Sequence, residues 1–263
     1  MVQYTLKKSL GQHFLKDERV CERILSAVQK ENPVRLVEVG PGGGALTKFL
    51  LTLKEVDFRA IEVDREKVDY LLKQYPSLKD KLLHESILEA PLPFADSFVL
   101  VGNFPYNISS QIVFRILEWK EQVTSVIGMF QKEVAQRIVA KEGSKTYGIL
   151  SVLVQAYYEA FYLFDVAQHA FVPPPKVMSG VLLLKKRIDI PDMKSERLFF
   201  LLVKTAFNQR RKMLRNAVRA LFSPEVLEDP IFNQRAEQLS VRQFAELTFR
   251  MNGSTEIKMT IDE

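Results

Sequence analysis

The sequence has little of what builds disulfides or metal centres. Its 263 residues include one cysteine, Cys21, and three histidines, His13, His84 and His169, far apart along the chain. A lone cysteine excludes an internal disulfide and suits a reducing, cytoplasmic setting. No Cys/His spacing resembles a zinc-ligand pattern, so no metal is expected. No apolar run reaches the ~20 residues that cross a bilayer, so no membrane is expected as a partner. Residues 1–15 are basic but lack the apolar stretch and small-residue cleavage site of a secretory signal. Acid is missing locally as well: residues 197–221 hold seven Lys or Arg and no Asp or Glu. A one-signed segment of that kind repels itself unless something negative lies against it. With a net charge of +5, nucleic acid is the expected counter-charge.

What is present, over the first two-thirds, is an alternation of β-rich runs with amphipathic helical patterns. Asp17 is placed to cap a helix carrying Val20, Ile24, Leu25 and Val28 at helical spacing. Strands are predicted at 34–39, 58–63, 81–84, 98–101 and 123–130. Helices fit between them at 46–53, 65–74 and 108–119. This alternation implies an α/β domain with a mostly parallel sheet covered on both faces. After a helix at 147–156, runs at 160–165 and 177–186 can pair as an antiparallel edge. Composition changes at Ile190-Pro191-Asp192, and beyond it the pattern is all-helical: 196–207, 210–222 and 241–251. Ser240 with Gln243 forms a capping box for the last helix, and Asn252-Gly253 stops it. A boundary is therefore expected near residue 190, between an α/β domain (1–190) and a small all-α domain (191–263). The tail after Gly253 is expected to fray.

The strand at 34–39 runs into Gly40-Pro-Gly-Gly-Gly44, a turn with four glycines. Glycine permits a tight turn and close approach of a ligand to the backbone. The spacing differs from the dinucleotide fingerprint G-x-G-x-x-G, and an acid, Glu38, precedes the first glycine. Dinucleotide sites keep their helix N-terminus free for a pyrophosphate anion. A carboxylate there suits a cationic ligand end instead, such as a methionine ammonium. The next strand ends Ile61-Glu-Val-Asp64, and a carboxylate ~20 residues past the glycines is placed to accept from two ribose hydroxyls. Together the two features favour a nucleoside-containing cofactor over a plain turn with solvated acids.

Asn103-Phe104-Pro105-Tyr106 follows the strand at 98–101 and precedes a helix, at the carboxyl ends of the parallel strands. These residues suit methylation of an exocyclic amine. The lone pair of adenine N6 is delocalised into the ring, so the nitrogen is a poor nucleophile. Two acceptors aimed at its hydrogens help pyramidalise it and stabilise the charge that develops. The Asn103 side-chain oxygen and a backbone carbonyl near Phe104-Pro105 can serve. Pro105 biases Phe104 to an extended conformation and stiffens the loop. Tyr106 offers a face on which an extruded base can stack. No strong general base is needed, and the rate comes from alignment and water exclusion. An ordinary Asn-Pro-type turn is the bland alternative.

At this point the sequence resembles the ribosomal RNA adenine dimethyltransferases over nearly its whole length. The resemblance is carried by Lys8-Ser-Leu-Gly-Gln-His-Phe-Leu15, Val37-Glu-Val-Gly-Pro-Gly-Gly-Gly44, Ile61-Glu-Val-Asp64 and Val101-Gly-Asn-Phe-Pro-Tyr-Asn-Ile-Ser109. Phe130-Gln-Lys-Glu-Val-Ala-Gln-Arg137, Phe171-Val-Pro-Pro-Pro-Lys-Val177 and Phe207-Asn-Gln-Arg-Arg-Lys-Met-Leu214 continue it. It implies a Rossmann-like class I methyltransferase sheet with an antiparallel edge, S-adenosyl-L-methionine as cofactor, and N6,N6-dimethylation of two adjacent adenosines in small-subunit (16S) rRNA during ribosome biogenesis. His13, Leu15, Gly40, Gly42, Glu62 and Asn103 would contact the cofactor. In one place this sequence departs from the family: the usual Gly-Asp after the third strand, whose Asp bonds the cofactor adenine, is Glu85-Ser86. Ser86 or Glu85 would take over that bond. Phe171 would stack on the target adenine opposite Tyr106, with core packing as its alternative.

Arg210, Arg211, Lys212, Arg215 and Arg219 would form a basic stripe on one face of a helix over 210–222, with Phe207 and Leu214 turned toward neighbouring elements. Phosphate contacts of this kind give affinity and positioning with little sequence information, so specificity is expected from the shape of a pre-30S particle. The alternative is a solvated helix face. The protein is expected to act as a monomer. Two other functions fit parts of the sequence. A large-subunit rRNA adenine methyltransferase of the macrolide-resistance type would share the N-terminal half. A ribosome-assembly factor acting mainly by binding would not need the Asn-Phe-Pro-Tyr loop.

Overall fold

The computed structural model describes residues 13–252; residues 8–12 of the N-terminal motif and the tail after Gly253 lie outside them. The chain runs β1 (Phe14–Leu15), α1 (Glu18–Lys30), β2 (Arg35–Val39), α2 (Thr47–Leu50), β3 (Asp57–Glu62), α3 (Arg65–Gln74), β4 (Leu82–His84) and β5 (Phe98–Asn103). It continues through α4 (Ser109–Glu118), β6 (Val123–Gln131), α5 (Lys132–Ile138), α6 (Ile149–Tyr157), β7 (Tyr158–Val166), β8 (Phe171–Val172) and β9 (Ser179–Lys186). It ends in α7 (Glu196–Asn208), α8 (Leu214–Ala217) and α9 (Val241–Leu247), with short 3-10 turns between. Two compact units result: the chain up to Val139 with Tyr157–Arg187, and Ala140–Ala156 with the chain from Ile188 onward.

The first unit is built on a seven-stranded sheet in the order β4-β3-β2-β5-β6-β9-β7. The strands from β4 to β6 are parallel; β9 is antiparallel to both β6 and β7, the expected edge. Leu36, Val37 and Val39 of β2 and Phe98, Val99, Leu100 and Val101 of β5 are buried, as unbroken apolar runs in a sheet covered on both faces must be. Each such side chain contributes about 1.5–3 kcal/mol by leaving water. On one face lies α1, burying Val20, Cys21, Ile24 and Val28; Asp17 caps it by accepting from the Arg19 N–H at 3.1 Å. Strand order reverses at β2, with β3 on one side and β5 on the other. The carboxyl ends of β2 and β5 therefore border the crevice where open α/β sheets take ligands.

The helix expected over 46–53 is a single turn, α2, that loosens into i→i+3 bonds at Thr52 and Leu53. The Thr52 hydroxyl donates to the Phe49 carbonyl at 2.6 Å, competing with the helical pattern.

In the second unit the helix expected over 210–222 is not formed. Residues 209–213 make a turn, closed by Lys212 N–H donating to Gln209 O at 2.8 Å. Only α8 and a 3-10 turn, Arg219–Leu221, follow. The Leu214 N–H is instead taken by the Gln234 carbonyl at 2.7 Å, burying Leu214. The capping box at α9 is present, Gln243 N–H to Ser240 Oγ at 3.2 Å and Ser240 N–H to Gln243 Oε1 at 2.9 Å. Beyond Leu247 that helix tightens into the 3-10 turn Thr248–Arg250. Ala140–Ala156, which precedes the boundary read at residue 190, clusters here because Tyr147 packs on Phe207 at 6.1 Å and Gly143 N–H donates to Glu237 O at 2.7 Å.

Candidate active site

A cavity of about 260 Å³ opens at the carboxyl ends of β2, β3 and β5. Of the residues singled out in the sequence, His13, Leu15, Glu38, Gly40, Gly42, Glu62, Ser86, Asn103, Phe104, Pro105 and Tyr106 line it. They come from five separated stretches of chain, brought together by the sheet order.

The turn after β2 supplies one wall. Gly40, Gly42 and Gly44 have φ of 67°, 55° and 78°, left-handed values that an L side chain rarely adopts. Space is as tight as conformation: a Cβ on Gly42 would lie 3.1 Å from the Phe14 ring. The turn is pinned by Gly40 N–H to Ile61 O at 2.9 Å and by Gly42 N–H to Glu62 Oε2 at 2.9 Å. Glu62 Oε1 accepts from Asp64 N–H at 2.9 Å, so each oxygen keeps a further lone pair. Burial raises the Glu62 carboxyl above the usual carboxylate range, and these N–H donors oppose it. Glu38 is fully enclosed; burial pushes its pKa up to about 8, with the Thr47 hydroxyl, 2.7 Å away, pulling it back.

The loop after β5 supplies the opposite wall. Asn103 Nδ2 donates to the His13 carbonyl at 3.1 Å, which orients the amide and leaves Oδ1 as its acceptor. Phe104 is only 1% exposed. Its ring fills a hollow over Gly102 and Gly128, which face each other across β5 and β6, and meets Phe130 edge-on at 5.0 Å. Tyr106 is half-buried, its ring 5.6 Å from the His13 imidazole and its phenol bonded to Ser179 Oγ. Burial raises its pKa, with the Ser179 bond opposing.

Two placements differ from the sequence expectation, and a third settles an alternative it left open. Phe171 does not line the cavity: it is 1% exposed and packs in the core with Leu15, its partner in the β1–β8 pairing. His13 holds the position beside Tyr106 instead, its Nδ1 2.9 Å from the Pro173 carbonyl. At the Glu85-Ser86 departure, Ser86 lines the cavity and Glu85 does not. In the second unit Arg210, Arg211 and Lys212 lie in a turn rather than on a helix. Arg210 bonds the Ser144 and Lys145 carbonyls and sits 3.8 Å from Glu237, while Arg215 bonds Asn233. Arg211 and Lys212 are exposed.

Sequence reasoning missed Phe14, Val63 and Thr47. Val63 is an apolar residue, 49% exposed on the cavity wall beside Glu62; an apolar residue following a strand-end acid was the available signal. Thr47 had none, since its contact with Glu38 depends on how the turn folds back.

A parallel sheet reversing at β2, a glycine turn there, an acid ending β3 and an Asn-Phe-Pro-Tyr loop ending β5 define a class I methyltransferase of Rossmann-like fold. The family model described as ribosomal RNA adenine dimethylase matches residues 3–252. A protein of Flavobacterium johnsoniae named ribosomal RNA small subunit methyltransferase A is 51% identical, over 94% of this chain and 96% of that one. A protein of the same name from Cytophaga hutchinsonii is 46% identical, over 96% and 100%. Among solved structures, a dimethyladenosine transferase from Plasmodium falciparum superposes with TM-score 0.76 at 23% identity, covering 89% of this chain and 96% of that one. The 23S rRNA methyltransferase ErmE gives 0.68 at 20%, covering 89% and 99%. These two likenesses concern the fold. The chain belongs to the ribosomal RNA adenine dimethylase family.

Proposed function

We infer that the protein transfers methyl groups from S-adenosylmethionine to N6 of two adjacent adenosines in small-subunit rRNA, giving N6,N6-dimethyladenosine. The observation that carries this is one cavity walled by the glycine turn and Glu62 on one side and by Asn103–Tyr106 on the other. The cavity's donor set fits the cofactor. A buried acid, Glu38, is matched to an ammonium, and Glu62 with spare lone pairs to two hydroxyls. Val63 offers an apolar surface to a purine, and Ser86 a neutral acceptor to its amine. Gly40, Gly42 and Gly43 put backbone without side chains on the cavity wall, where a ligand can approach it closely.

When bound, S-adenosylmethionine supplies an electrophilic methyl. The rest is the work of this chain's residues. Asn103 Oδ1 accepts from the adenine amine, with a backbone carbonyl of Phe104-Pro105 as second acceptor, concentrating the lone pair on nitrogen. Tyr106 stacks the base. Phe104, anchored over the paired glycines, and Pro105 keep both groups from shifting. The amine proton leaves once nitrogen carries positive charge, so no residue of general-base strength is required. His13 and Leu15 close the cavity from the N-terminal side and exclude water.

Arg211 and Lys212 carry the contact with RNA phosphates, being exposed cations in an acid-free stretch, whereas Arg210 and Arg215 also brace the second unit. Two cations read charge and not sequence, which supports a pre-30S particle, recognised by shape, as the substrate. The protein acts there as a cytoplasmic monomer. No helix among the described residues is long and apolar enough to cross a membrane.

The test mixes purified protein, labelled cofactor and undermethylated small ribosomal particles, followed by nucleoside mass spectrometry. N6,N6-dimethyladenosine is expected from the parent. Asn103→Ala should keep its fold while losing turnover by ~100-fold or more, a loss that saturating cofactor does not restore. Another modified nucleoside, or near-normal turnover in the variant, overturns the assignment.

A further inference from the structure

The loop that carries Tyr106 is held by two serines that take no part in lining the cavity. Ser109, the first residue of α4, donates to the carbonyls of Pro105 at 3.2 Å and Tyr106 at 3.0 Å. It fixes backbone. The Tyr106 ring would still turn about its side-chain bonds unless its phenol were held, and the phenol is bonded to the Ser179 hydroxyl. Ser179 is fully buried at the head of β9, paired with Gln131 of β6 and Val166 of β7. Immediately before it, Lys132 N–H donates to Met178 O at 2.9 Å. Its position is therefore set by the sheet on both sides.

We propose that Ser179 is a positioning residue of the methyl transfer, its hydroxyl fixing the plane of the Tyr106 ring on which the target adenine stacks. The proposal rests on the N6-methylation reading above. The consequence of the bond is orientation. An aromatic wall set in advance spares the base the ordering cost of arresting the ring and keeps the amine in line with the methyl donor. The His13 imidazole, 5.6 Å from the ring centroid and tilted 31°, limits the ring from the other side.

Ser179→Ala, Tyr106→Phe and the double variant test this, using labelled cofactor and undermethylated small ribosomal particles. Each single change should lower kcat about five- to tenfold while KM for particles and for cofactor stays within about twofold. The double variant should be no slower than the slower single one, since both remove the same bond. A Ser179→Ala kcat within about twofold of the parent, with or without a lowered Tm, makes the serine structural and overturns the proposal. Effects that multiply in the double variant overturn it too. Should Ser179→Ala fail to fold, Tyr106→Phe removes the bond from its other end, and undiminished kcat there is equally fatal. A parent enzyme that leaves the adenosines unmodified overturns the functional reading itself, and this assignment with it.

Discussion

Two residues that are not reactive decide how the site behaves. Gly128 lies under the Phe104 ring: a Cβ there would sit 2.5 Å from Phe104 Cε2 and 2.7 Å from Phe130 Cε2. Neither ring can retreat, because each packs on the other inside the sheet. Gly128→Ala should therefore destabilise the protein by ~1–3 kcal/mol, as overpacked cores do, and should slow turnover by displacing the loop that holds Asn103. Denaturant unfolding and a turnover assay check both parts. Glu38 governs a proton. Burial holds its pKa near 8 against an ordinary 4.5, so the folded free protein keeps a proton that the unfolded chain releases. Its contribution to stability thus falls as pH rises through that window, the reverse of an ion-paired carboxylate. Binding a cationic ligand end favours the ionised form. Cofactor binding at pH 7 should accordingly release about one proton, seen by calorimetry in buffers of different ionisation enthalpy. Glu38→Gln should remove that release, and a persisting release would assign the proton elsewhere.

At the scale of elements, the acid-free stretch of the second unit shows what a charge pattern does and does not say. Seven cations without an acid mark a surface that needs a negative partner, and they say nothing about whether the stretch is one helix. The chain breaks at 209–213 because Leu214 gains a tertiary hydrogen bond to Gln234 and burial, which outweigh one more turn of i→i+4 bonding. The break divides the basic residues by role. Replacing Arg211 and Lys212 with Gln should weaken particle binding and lower its log–log salt slope by about 1.5, at ~0.7–0.9 per lost phosphate contact. Tm should stay unchanged. Arg210→Ala, which frees the Ser144 and Lys145 carbonyls, should lower Tm instead. An unchanged salt slope in the first variant removes these residues from the RNA contact.

For the molecule as a whole, most of the elements were legible in the sequence. Helix 65–74 was read with the bounds it has, and the parallel strands to within one or two residues, because hydrophobic periodicity is a local signal. The cavity was legible too: glycines, strand-end acids and the Asn-Phe-Pro-Tyr loop each advertise themselves. The failures share a cause. Phe171 was read as a pocket residue because its motif suggested it, yet pairing with Leu15 turns its ring to the core. Ala140–Ala156 carries no composition shift, and its place with the C-terminal helices follows from a ring contact with Phe207.

Local interactions, and so the sequence alone, determined which segments became strands and helices and which residues stand in the glycine turn and at the strand ends, and a single cysteine excluded an internal disulfide. Tertiary structure decided what those residues touch. Ser179 lies 73 positions from Tyr106 and Glu38 faces a hydroxyl nine positions on. The first contact exists only once the sheet is assembled and the second only once the glycine turn has folded back, because hydrogen bonding and burial depend on distance in space, and spacing along the chain does not encode that distance.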